Sequence, residues 1–204
     1  MQVDELAPGL WRWTAEHPEW HPGEGWEPVV SCFYVEAEDA TLVIDPQLPA
    51  GVEEARFWLH LDEDLERRGR PVAVLLTSPY HRRSADGVAA RYDARVHDGA
   101  RPEDDLPGGA QVLEPCDGAS PFWLPSHGAL AVGDALISVG GELRVWWVFQ
   151  GEEDERDFHE RWLPFLRAWL DLPVEHVLTG HGEHVPGGRE ALAAALDREP
   201  YQNA

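Results

Sequence analysis

Val72–Gly87 reads VAVLLTSPYHRRSADG. The stretch opens on a continuous apolar run, Val72–Thr77, which predicts a strand covered on both faces. A serine and a proline then turn the chain. SADGVAARYD (Ser84–Asp93) follows as a predicted short helix with Ser84 as its N-cap. Open α/β architectures gather ligands just past the carboxyl ends of their strands. His81, Arg82 and Arg83 occupy such a place.

The flanking sequence extends this pattern. GLWRWT (Gly9–Thr14) alternates like a first strand, and HPEWHPGEGWEP (His17–Pro28) is a loop rich in proline and glycine. VVSCFYVE (Val29–Glu36) and TLVIDP (Thr41–Pro46) read as strands. Ala50–Gly69 has apolar residues at 52, 55, 58, 59, 61 and 65, the spacing of a helix that stops at Gly69. ARVHD (Ala94–Asp98) is a strand. Shorter strands follow in AQVLEP (Ala110–Pro115), SPFWLP (Ser120–Pro125), ALAVGDALI (Ala129–Ile137) and RVWWVF (Arg144–Phe149). Glu153–Leu172 predicts a long helix kinked at Pro164, Val174–Val185 a strand running into a loop, and Gly188–Glu199 a closing helix. No repeat or low-complexity linker divides the chain. Residues 1–204 therefore read as one α+β domain, with two sheets and helices outside both.

Composition narrows the function. The chain has 38 Asp+Glu against 16 Lys+Arg, a formal charge of -22. Such a surface repels phosphate backbones and anionic membranes, so no nucleic-acid and no membrane partner is expected. The opening MQVDELAPGLWRW has no basic start and no apolar run, and no stretch reaches 18 apolar residues; a cytoplasmic protein is the expectation. Cys32 and Cys116 show no CxxC spacing and read as buried thiols. The 10 tryptophans read either as core or as the lining of an aromatic pocket.

Four residues sit at or just past predicted strand ends: Asp45 in LVIDP, His81, Asp134 in AVGDAL and His181 in VLTGHGEH. With these in place, nearly the whole chain resembles the metallo-β-lactamase-fold superfamily. LAPGLWRW is similar to its opening strand, and LVIDP to the strand that ends in a structural Asp. VLLTSPYHRRSADG takes the place of the ligand run Thr-His-x-His-x-Asp-His-x-Gly. VGDAL resembles the stretch that carries the metal-bridging Asp, here Asp134, and VLTGHGE the one that carries the last His ligand, here His181. The resemblance implies a four-layer αββα sandwich with a site along one edge. It also implies mainly zinc-dependent hydrolysis of lactams, thioesters, lactones or phosphoesters.

The ligand run departs from that pattern. Without a gap, Ser78 and Tyr80 replace its first two histidines, and Arg82 and Arg83 its Asp-His pair. A slide by one residue brings His81 onto the second histidine. No histidine occupies EPCDGAS, where a middle ligand belongs. What remains is His81, Asp134 and His181, enough for one zinc or other divalent metal with an open position, or for none. His81 and Asp134 would be the catalytic pair of such a site. Arg82 and Arg83 repel a cation and suit a carboxylate or phosphate, so with Tyr80 and Trp20 they form the expected contacts for a small, anionic ligand. In this fold the loop after the first strands borders the site, so His17, His21, Trp20 and Trp26 either line a pocket or form a surface flap. Two readings stay open: a divergent hydrolase with at most a mononuclear site, and a non-catalytic binding or assembly module in which an arginine binds an anion or pairs with Asp134. A serine hydrolase built on Ser78, Ser84 or Ser126 lacks a Gly-x-Ser-x-Gly elbow. Oligomeric state stays open, with the Trp-rich RVWWVF as the segment that could pair strands or faces between two subunits of a homodimer.

Overall fold

The computed structural model describes residues 1–99, 105–113 and 119–202. In chain order the elements are β1 (Val3–Ala7), β2 (Leu10–Glu16), β3 (Val29–Glu36), β4 (Thr41–Ile44), α1 (Val52–Arg68), β5 (Val72–Leu75), α2 (Ala85–Tyr92) and β6 (Arg95–His97). The second half contains β7 (Gln111–Val112), β8 (Phe122–Leu124), β9 (Ala129–Gly133), β10 (Leu136–Val139), β11 (Glu142–Val145), α3 (Glu152–Asp157), α4 (Leu163–Ala168), β12 (His176–Thr179) and α5 (Gly188–Leu196).

Strands β1 to β6 form one sheet in sequence order, antiparallel from β1 to β4 and parallel from β4 to β6. The second sheet runs β12-β9-β8-β7, and β10 and β11 make a hairpin beside it. Side chains alternate across a strand, so each sheet offers two packing faces. In β3, Cys32 and Tyr34 meet Phe57, Leu61 and Leu65 of α1 and Val88 of α2. Phe33 and Val35 of the same strand face inward, onto Phe122, Leu124, Ala129 and Ala131 of the second sheet. In β9, Leu130 and Val132 point the other way, toward Phe158, Trp162, Leu166 and Leu192 of the closing helices. The layers are therefore helix, sheet, sheet and helix.

The differences from the sequence expectation have local causes. A strand precedes GLWRWT, because β1 adds to the edge of β2. ALAVGDALI is two strands: Gly133 takes φ +56, a left-handed turn that sends β10 away from β9 and leaves Asp134 in the bend. RVWWVF stops being a strand at Val145; beyond it Trp146 N donates to Ala135 O at 3.2 Å and Trp146 forms an isolated bridge to Tyr201. The long helix is broken by a π turn, Phe158–Trp162, immediately before Pro164, whose ring and missing N–H do not fit an uninterrupted α-helix. Ser84 does not cap α2 with its side chain; its Oγ accepts from Leu48 N at 3.0 Å instead. Cys32 is buried as expected, and Cys116 lies outside the described residues. Among the described residues no helix is long and apolar enough to cross a membrane.

Candidate metal centre

Four chain segments deliver the site, each from the carboxyl end of a strand: Asp45 after β4, Thr77 and His81 after β5, Asp134 after β9 and His181 after β12. Asp45 is buried and adopts φ +49. Its Oδ1 accepts from Thr77 N at 2.8 Å, and its Oδ2 accepts from Thr77 Oγ1. That oxygen also accepts from His81 Nδ1 at 3.0 Å. A short 3-10 turn, Pro79–Arg82, brings the His81 ring inward onto Asp45. The far ring atom, Nε2, lies 3.1 Å from Asp134 Oδ1. His181 Nε2 lies 3.3 Å from the same oxygen.

His181 is held by both sheets. The backbone after β12 bridges to Val30, and Ser31 N donates to Gly180 O at 2.9 Å. Arg12, buried in β2, donates from Nε to Ser31 Oγ at 2.9 Å and from Nη2 to Gly182 O at 3.0 Å. Trp26 packs over the His181 ring at 4.6 Å between centroids, and Trp146 packs edge-on at 5.3 Å. Nothing in the sequence marked Arg12, which sits within a strand that reads as ordinary alternation. Trp146 escaped because RVWWVF reads as a strand rather than as a wall.

Electrostatics distinguish the three donors. Burial opposes charge on His81, but Asp45 and Asp134 outweigh it and push its pKa up to about 9. Burial alone would raise the Asp134 carboxyl; His81 and His181 reverse that and hold it well below the usual carboxylate range. Burial and the Arg83 charge hold His181 below the usual imidazole range, against the pull of Asp134. Its Nδ1 is buried without a hydrogen-bond partner.

The donor set fits a single divalent cation. His81, Asp134 and His181 each offer an atom, all within 4.8 Å of one another. Ligand atoms at ~2.0–2.1 Å from a tetrahedral zinc lie roughly 3.3 Å apart, and the two separations seen are 3.1 and 3.3 Å. The Asp45 contact fixes His81 Nδ1 as the donor and directs Nε2 at the candidate ion. Metal-bound histidines usually have such a partner.

The other expected residues are placed unevenly. Arg82 points away: it is exposed and donates from Nε and Nη2 to Asp86 of α2 at 3.1 and 2.7 Å. Arg83 stays close, strained at φ +31, with Nη1 donating to Asp45 O at 3.4 Å and Nε buried without a partner. Neither arginine pairs with Asp134, whose partners are the two imidazoles. Tyr80 is 82% exposed and stands at the rim of a cavity beside Asp134. Trp20 is not in that cavity; its Nε1 donates to Trp26 O at 2.8 Å and braces the loop. His17 packs edge-on against Trp26 at 5.4 Å, while exposed His21 pairs with Glu24 at 3.0 Å. Only part of the His17–Pro28 loop therefore covers the site.

No family model matches the sequence, and no curated protein does either. The structure does have solved counterparts. A metallo-β-lactamase from Hirschia baltica superposes with a TM-score of 0.61 at 14% identity, over 96% of this chain and 95% of that one. The metallo-β-lactamase DIM-1 gives 0.61 at 12% identity, over 96% and 94%. A metallo-β-lactamase family protein from Thermus thermophilus gives 0.52 at 19% identity, over 93% and 79%. The chain thus has the metallo-β-lactamase fold, α+β in four αββα layers.

Proposed function

We propose that this chain is a hydrolase working with one divalent cation, zinc being the natural candidate, held by His81, Asp134 and His181. The observation that carries the reading is the convergence of three donor atoms within 4.8 Å at strand ends. His81 is backed by a buried carboxylate, and an open cavity begins at Asp134. When bound, the cation supplies Lewis acidity and an activated water. This chain's own residues do the rest. Asp45 orients His81, Asp134 joins the two imidazoles, and Trp26 and Trp146 shield His181 from solvent.

A single ion is favoured over a pair by Arg83. Its fixed charge acts on both His17 and His181, and a second cation on that side would have to sit against it. A metal-free reading has one observation in its favour. Asp45, His81 and Asp134 already form a continuous hydrogen-bonded chain, with His181 Nε2 3.3 Å from the same Asp134 oxygen, and a proton on His81 Nε2 would take the place of the ion. In that case the fold serves as a binding or assembly module.

Metal analysis by mass spectrometry on tag-free protein expressed with zinc separates the two. About one equivalent is expected, lost in both His181→Ala and Asp134→Ala. Thioester, lactone and phosphoester screens then read hydrolysis, which the same variants abolish. A metal-free parent protein contradicts the hydrolase and leaves the proton-held network.

A further inference from the structure

A cavity of about 490 Å³ opens beside Asp134 and runs along the face of the closing helices. We infer that it holds the non-reacting arm of the substrate, and that this arm is apolar and carries no negative charge. The inference rests on the reading of Asp134 as part of the reacting centre, since the cavity begins there.

The walls are aromatic and aliphatic. Trp146, Trp147 and Trp162 line it together with Val145 and Leu166. Trp147 and Trp162 meet at 4.8 Å between centroids and 61°, an edge contact that fixes both rings in place. Trp162 closes the π turn and Leu166 follows on α4. Interruptions of this kind often accompany functional sites, because the extra residue re-aims the side chains around it. Rigid aromatic walls around a few placed polar groups are the usual build of a small-molecule site.

Charge decides the second half of the inference. The charged residues on the lining are carboxylates: Asp134, whose charge the candidate cation would offset, and Asp154. Neither Arg82 nor Arg83 contributes to it. An anionic arm would meet the like charge of Asp154, in surroundings whose aromatic walls weaken screening. A neutral arm loses nothing there and gains contact with the three indoles.

A matched pair of probes tests this: 4-phenylbutanamide and 4-phenylbutanoate, titrated into the full-length protein by calorimetry with and without chelator, with metal content measured on the same samples. Carboxylate binding to the cation is thereby read separately, and the comparison is made in the chelated protein. The amide is expected to bind about tenfold or more tightly than the carboxylate. Asp154→Asn, which keeps an oxygen for the Gln150 N–H it now accepts at 2.9 Å, is expected to narrow that gap by improving the carboxylate alone. Val148→Trp, at the cavity wall, should weaken the amide while circular dichroism stays unchanged. No amide binding, or a carboxylate that binds as well as the amide, overturns the inference. Amide binding in a protein without metal would keep the inference about the cavity and remove the proposed hydrolase, so the two fail separately.

Discussion

At the residue scale His81 is the pivot of the site, held between Asp45 and Asp134. In the metal-free protein its raised pKa, about 9 against 6.5, means that folding favours the protonated ring. The sign follows: this contribution is fully present below pH 6.5 and is lost as pH rises through about 9. Denaturant unfolding of chelator-treated protein should therefore lose a few kcal/mol between about pH 6 and pH 10. Zinc-loaded protein should lose much less over that span, because the ion replaces the proton. Equal losses with and without zinc would show that His81 is not a ligand. Asp45 is the second test. Asp45→Asn leaves the His81 ring without its carboxylate partner and should weaken zinc binding ~10–100-fold, read by chelator competition. Unchanged affinity would mean that His81 needs no support. His81, Asp134 and His181 were legible in the sequence because each follows an apolar run. The division between Arg82 and Arg83 was not. It depends on a 3-10 turn and on φ +31 at Arg83, which send one guanidinium to Asp86 and keep the other near Asp45. Neighbouring arginines carry no sequence mark of such a split.

At the scale of elements, the bend after β9 is the critical piece. A Cβ on Gly133 would lie 2.5 Å from Thr77 Oγ1, the hydroxyl that locks Asp45. Gly133→Ala therefore combines an unfavourable φ with a clash, and should cost ~1–3 kcal/mol of stability. It should also lower zinc binding, since it disturbs Thr77 and Asp134 together. Midpoints from chemical denaturation, with zinc titration on the same protein, check both; a stable variant that still binds zinc would mean the bend adjusts freely. The sequence contained the strands on either side of this bend but not the break. ALAVGDALI is apolar almost throughout, and one glycine within it does not announce a change of direction. The π turn was foreshadowed by Pro164, although a proline indicates only that the helix is disturbed and not how. RVWWVF has strand composition, yet its tryptophans pack around the cavity and His181 instead.

At the scale of the molecule, the layers follow from alternation. Strand residues that alternate between two apolar faces require cover on both sides, and the chain supplies helices before and after. The layer order was therefore readable from pattern alone. Pairings between distant segments were not, because no local feature of LVIDP or TGHGE specifies that Asp45 will meet the His81 imidazole and His181 the Asp134 carboxylate. Phe122, fully buried between the sheets, should cost ~3–5 kcal/mol when replaced by alanine, and the loss should appear in overall stability before any change in the site. The site's residues come from both halves of the sandwich. Binding of an ion should accordingly stabilise the whole fold, with a melting temperature that climbs with zinc concentration. Anomalous diffraction at the zinc edge, on crystals grown with zinc, tests the central claim most directly. The account predicts one peak, in contact with His81 Nε2, Asp134 and His181 Nε2. A map with no peak there, or with two adjacent peaks and Arg83 displaced, would contradict it.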